Sequence, residues 1–166
     1  MKQIPVNVLD PRSWENAQVD LFTYLSDLEE KARTICERLA TIGAVRASLD
    51  FSRAIYSGPN DVTVTVEPTE KGYAIHARGN AVLFIEFGSG SKHGYGHPEA
   101  KAEGYGPGTY NPDYPTPENP NWRNPKGWWY GDGQHTYGNP PAQAMYNAKQ
   151  EILRMVEQVA REVFDQ

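Results

Sequence analysis

From Gly88 to Gly138 the chain contains no Leu, Ile, Val, Met, Phe or Cys. Those 51 residues hold instead 11 Gly, 7 Pro, 6 Tyr and 3 Trp. A segment without large aliphatic side chains cannot assemble a core of its own. Ordinary disordered linkers are poor in aromatics as well, and this one is rich in them. Tyr105, Tyr110, Tyr114, Trp122, Trp128, Trp129 and Tyr130 all fall inside it. Such rings bury large area while keeping a polar tip, which suits interfaces. The segment therefore reads as a long arm, 88–138, inserted into a single domain, 1–166. It would become ordered against another surface, and those seven rings are its candidate contacts with a neighbouring subunit or partner.

Other scarcities narrow the function classes. Cys36 is the only cysteine, which excludes an internal disulfide and any multi-cysteine metal site. It falls in an apolar helical pattern and reads as a small buried hydrophobe. Lys and Arg number 16 against 21 Asp and Glu, for a net charge of −5. No basic stripe of the kind that neutralises phosphates is present, so sequence-specific nucleic-acid recognition is not expected. An acidic wall beside passing DNA is compatible with this balance. The first ten residues, MKQIPVNVLD, hold no sustained apolar run, and no later stretch approaches a membrane span. The expectation is a soluble intracellular product.

What is present is well patterned. Asp10-Pro11 reads as a helix cap with a first-turn proline. Leu21, Leu25, Leu28, Ala32, Ile35, Leu39 and Ile42 then step alternately by four and three. Gly43 is the predicted stop, giving a helix roughly 45 Å long. Its seam packs along the chain's own sheet, or in part against a neighbouring subunit. Val45 to Tyr56 alternates and predicts a strand, with a short helix as the alternative. Asp61 to Glu67 (DVTVTVE) and Tyr73 to Ala77 alternate too. The three runs together predict an antiparallel meander. Asn80 caps a predicted short helix over 81–87, with a buried strand as rival. Within the arm, 127–130 and 134–137 flank Gly131-Asp132-Gly133, a hairpin signal. Pro140-Pro141 opens a final helix carrying Met145, Ala148, Ile152, Met155, Val159 and Val163. The predicted class is α+β: an antiparallel meander packed by a long N-terminal helix and a C-terminal helix, with the arm between.

Little in this pattern points to catalysis. Glu86 lies in the apolar run Phe84-Ile85-Glu86-Phe87, where a carboxylate can have a raised pKa. The more common outcome for such a residue is to face solvent or accept bonds from the loop that follows. His93 and His97 are four apart, but Gly94, Gly96 and Pro98 argue against the helix that would make the spacing useful for zinc. His135 could join them in space, and with Glu86 the three would make a metal-dependent hydrolase, a third reading that the spacing disfavours. No Gly-x-Ser-x-Gly elbow occurs, and Gly104-Tyr105-Gly106-Pro107-Gly108 lacks the lysine and helix of a phosphate loop. No catalytic residue, cofactor or metal is expected. The rings of the arm allow two binding readings, stacking on sugars, as in carbohydrate-binding modules, or filling pockets on a protein; Trp128 and Trp129 could equally cover the edge of the chain's own sheet.

Several runs resemble one family. They are Gly58-x-Asn60-Asp61-Val62-x-Val64-x-Val66, Gly72-Tyr73-Ala74, and Ala81-x-x-Phe84-Ile85-Glu86-Phe87-Gly88-Ser89-Gly90. Gly127-Trp128-x-Tyr130 and Gly138-Asn139-Pro140 with Met145-Tyr146 complete the set. The chain resembles the small head–tail joining or tail-completion proteins of long-tailed bacteriophages and prophages, over most of its length. Phe84 to Gly90 is the sharpest part, with Ser89 where many relatives have Thr. The Pro-rich tip around Tyr110 to Asn124 is specific to this branch. The resemblance implies a non-enzymatic subunit of a ring, sixfold, at the head-proximal end of the tail. Its neighbours would be the connector or stopper, the tail terminator and the tail tube. Its place would be the virion, after assembly in the host cytoplasm.

Overall fold

A computed structural model describes residues 3–90, 96–100, 102–103, 128–130 and 134–165. The first helix, α1, spans Pro11–Ser52. At 1.5 Å per residue it is about 63 Å long. Asp10 caps it as expected, in extended conformation, its carboxylate accepting the Arg12 N–H at 3.0 Å. Gly43 does not end it. A Cβ at Gly43 would lie 2.6 Å from the tip of Ile152 and 2.7 Å from the tip of Ile75. The glycine is a packing notch that lets two neighbouring elements press onto the helix.

The predicted strand at 45–56 is therefore corrected: through Ser52 it is the end of α1. Its alternation is incidental to a helical face. Leu39, Gly43, Ala47 and Phe51, spaced by four, are buried, whereas Val45 and Leu49 are 64% and 40% exposed. Asn60 then holds the end of the helix, donating through Nδ2 to the Phe51 carbonyl at 2.9 Å.

Strand β1 (Thr63–Thr69) and strand β2 (Gly72–Arg78) form an antiparallel hairpin, in register from Thr63↔Arg78 to Thr69↔Gly72. Helix α2 (Val82–Phe87) follows, then β3 (Trp128–Tyr130), β4 (Gln134–Thr136) and α3 (Ala144–Phe164). The class is α+β, as predicted: a long N-terminal helix, a C-terminal helix and a two-stranded antiparallel sheet packed together. The meander is reduced to two strands because its first run belongs to α1.

The core gathers where three helices converge. Phe51 of α1 and Ile85 of α2 are 2% and 0% exposed, set among Ala47, Ala81, Ala144 and Ala148. Small side chains allow this close approach, and two large ones fill it. Helix α3 returns antiparallel along α1. Asn147 donates to Asp50 at 2.8 Å near one end, Arg38 meets Glu162 at 3.8 Å, and Lys31 sits over the Phe164 ring at 5.4 Å. The β1–β2 turn reaches Cys36. Upstream of these contacts every residue of α1 from 18 to 30 is exposed. No described helix is long and apolar enough to cross a membrane.

Candidate functional site

Helix α3 begins without a cap of its own. Gln143, at the capping position, has φ 56° and ψ 33°, and its side chain makes no capping bond. The second and third N–H groups of the helix then need an acceptor from elsewhere. Glu86 supplies it across 59 residues of sequence. Its Oε2 accepts the Met145 N–H at 2.9 Å and its Oε1 the Tyr146 N–H at 3.1 Å. A carboxylate at this end also meets the positive pole of the helix. The main chain reinforces the junction: Ala142 donates to the Ile85 carbonyl at 2.7 Å and Gln143 to that of Glu86 at 3.2 Å. The last carbonyls of α2 are thus satisfied by the two amides just before α3, and two of the first amides of α3 by the Glu86 carboxylate.

His97 joins the same carboxylate. Its Nε2 lies 3.0 Å from Glu86 Oε1, and its Nδ1 accepts the Glu99 N–H at 3.1 Å. An accepting Nδ1 leaves the ring proton on Nε2, which donates to Glu86. The ring is 5% exposed, held between Phe87 at 4.4 Å and Tyr146 at 5.8 Å. Lys149 then binds Glu99 at 2.7 Å, and that bond and charge keep its ammonium protonated to higher pH than usual. Gln143 Nε2 donates to the Gly96 carbonyl at 2.7 Å. Residues 96–100, at the near end of the arm, are in this way moored to α2 and α3.

A second set of bonds joins the two roots of the arm. Ser89 and Asn139 form an antiparallel bridge, with main-chain bonds of 2.9 and 3.0 Å. The Ser89 hydroxyl donates to Asn139 Oδ1. Asn139 Nδ2 donates to the Phe84 carbonyl at 2.8 Å and to that of Pro140 at 3.3 Å. Gly138 makes the approach possible. Its φ is +90°, and a Cβ there would fall 2.0 Å from the Ser89 carbonyl oxygen.

Of the residues singled out in the sequence, Phe84 to Gly90 form one unit of this clasp: the last turn of α2 and the chain leaving it. Glu86 does not face solvent; it accepts a bond from His97 in the loop that follows, as one of the two expected outcomes had it, and caps α3 as well. Both its oxygens and both nitrogens of His97 are engaged within the fold, so the pair acts as a staple between elements. Tyr105, Tyr110, Tyr114 and Trp122 lie outside the described residues, as does His93. The main chain of Trp128, Trp129 and Tyr130 pairs with Thr136, His135 and Gln134, the hairpin expected there. The His135 ring packs on Tyr137 at 4.8 Å. Among the described residues no three His, Cys, Asp or Glu are grouped as metal ligands. Sequence reasoning grouped His97 with Glu86 only as possible metal ligands, not as hydrogen-bond partners. The sequence offers no cue for this junction, because Asn139 before Pro140-Pro141 reads as a local cap, whereas the helix starts only at Ala144 with Gln143 at its cap.

Asp61 serves α2 in a similar way. Its Oδ2 accepts the Asn80 N–H at 2.7 Å and its Oδ1 the Ala81 N–H at 3.0 Å. The Asn80 bond first, then that from Ala81, holds the carboxyl below its ordinary value of 3.8. A depressed carboxyl stabilises the fold above its unfolded value, and the benefit is lost as pH falls through the folded one. Asp61→Asn is therefore expected to melt below the wild type near pH 6, with the gap closing as pH falls below 3.8. Thermal melts across that range test this; a gap that stays constant refutes it.

In comparisons with known proteins, no family model, no curated protein and no solved structure matches the chain.

Proposed function

We propose that the chain is a structural subunit of a bacteriophage neck or tail, acting in tail completion or head–tail joining. It assembles with copies of itself as a ring, a hexamer, at the head-proximal end of the tail. No catalytic residue and no cofactor enter this reading. The partners are the connector or stopper, the tail terminator and the tail tube, and the working location is the virion.

One observation carries the reading. The first half of α1 extends past the rest of the fold with Trp14, Phe22, Leu25 and Leu28 exposed. So much apolar surface on a stiff helix is what an assembly subunit offers before assembly. The clasp supports it further, since it roots the aromatic arm on a fixed platform. The residues that carry the family resemblance, Phe84 to Gly90 and Gly138 to Tyr146, are those that build this platform.

The test is assembly itself. Purified chain imaged by electron microscopy is expected to show closed rings. Antibody against the chain is expected to label the junction of head and tail in virions from a host expressing it. Segment 88–138 should resist protease in the rings and be cut in dissociated chain. Virions without the chain, together with equal cleavage in both states, would defeat the proposal.

A further inference from the structure

Helix α1 has two electrical ends. Residues 11–30 carry Glu15, Asp20, Asp27, Glu29 and Glu30 against Arg12, a net −4. Residues 31–53 carry Lys31, Arg33, Arg38, Arg46 and Arg53 against Glu37 and Asp50, a net +3. Each half also presents an apolar stripe.

In the acidic half the stripe is Trp14, Leu21, Leu25 and Leu28, with Phe22 at its edge. Trp14 is 50% exposed and Phe22 71%. These residues lie on the side of α1 that farther along faces α3 and the hairpin, but here nothing described covers them. In the basic half a second row, in steps of three and four, runs through Ile35, Arg38, Ile42, Val45 and Leu49, half-buried at its first three members and exposed at Val45 and Leu49. It points away from buried Ala47 and Phe51. Arg46 is committed to Asp50 at 2.8 Å, but Arg38 reaches Glu162 only at 3.8 Å. Arg53, just beyond, has no ion pair among the described residues.

We propose that copies of this chain join head to tail. The acidic first half of α1 in one copy lies along the exposed Val45–Leu49 side of the basic second half of α1 in the next. This rests on the ring reading above and assigns it a contact surface. Pairing like halves would set −4 against −4, whereas the staggered pairing sets −4 against +3. Both stripes follow the spacing of three and four that lets helices interdigitate at a shallow angle. On a straight helix the two stripes lie about a quarter turn apart. One neighbour could cover both only by winding around α1, so each copy meets two neighbours. Contacts of that kind close into rings when the rotation allows.

Charge reversal of the full-length chain, read by sedimentation velocity, tests the proposal. The acid-reversed variant carries Asp20→Lys, Asp27→Lys and Glu29→Lys, and the base-reversed variant carries Arg38→Glu and Arg53→Glu. All five side chains lie outside the core, so the fold is expected to survive, as circular dichroism will show. Wild type should associate, and less so as salt is raised. Each variant alone should need at least about tenfold higher concentration to associate. An equimolar mixture of the two should regain association, and so should one chain carrying both sets. Rings that resist both reversals would overturn this contact and leave the ring reading intact. A mixture that fails to recover would also overturn it. Wild type that stays monomeric at every concentration would overturn both.

Discussion

The Glu86→Ala chain is expected to be less stable than wild type by about 3–5 kcal/mol in urea unfolding. The substitution removes more than one bond. The Met145 and Tyr146 amides lose their acceptor at the start of α3, and His97 Nε2 loses its own at a site where the ring is 5% exposed. Donors left buried and unpaired cost more than the bonds themselves contributed. Against a typical total of about 5–15 kcal/mol the loss is large. Glu86→Gln keeps the shape and one accepting oxygen but turns an N–H toward other N–H groups, so about half the loss is expected. His97→Ala leaves the cap of α3 in place. It should cost less, while freeing the Glu99 and Ala100 amides to faster hydrogen exchange. A Glu86→Ala chain within about 1 kcal/mol of wild type would show that the carboxylate is not the cap.

Gly138→Ala is the second substitution of large effect. The φ of +90° suits glycine alone, and the new methyl would meet the Ser89 carbonyl, a main-chain atom that cannot swing aside. To make room, the Ser89–Asn139 bridge must open. Its paired main-chain bonds, the Ser89 hydroxyl bond and the two bonds from Asn139 Nδ2 then come apart together. The expected destabilisation is about 3 kcal/mol or more, combining backbone strain with unpaired buried groups. Loss of exchange protection at the Ser89 and Asn139 amides should accompany it. Unchanged protection at both would mean that the bridge does not depend on the glycine.

Much of the fold could be read from local patterns. The alternating valines of β1 kept one face inward, the Asp10-Pro11 start of α1 was a local capping signal, and Gly131-Asp132-Gly133 marked a hairpin. The end of α1 was misread because Gly43 looks like a stop when only its neighbours in sequence are known. Its reason for being glycine is Ile152, which lies more than a hundred residues away. The clasp was half legible. Phe84 to Gly90 stood out as a unit, and so did Gly138-Asn139-Pro140, but no pattern could say that they bind each other. Glu86 illustrates the limit. Burial in an apolar run raised the question of catalysis, and only the arrival of α3 and His97 shows what the carboxylate holds.

The bridge between Ser89 and Asn139 has one more consequence. The polypeptide leaves the body and returns to it at this one doorway, and of the segment between, residues 96–100 are tied back to the packed helices. Closing a longer excursion costs entropy that grows only as the logarithm of its length. Insertions, deletions or replacement beyond the moored residues 96–100 can therefore accumulate while the frame that carries the loop stays the same. What lies beyond that point is free to be refitted to a new mate.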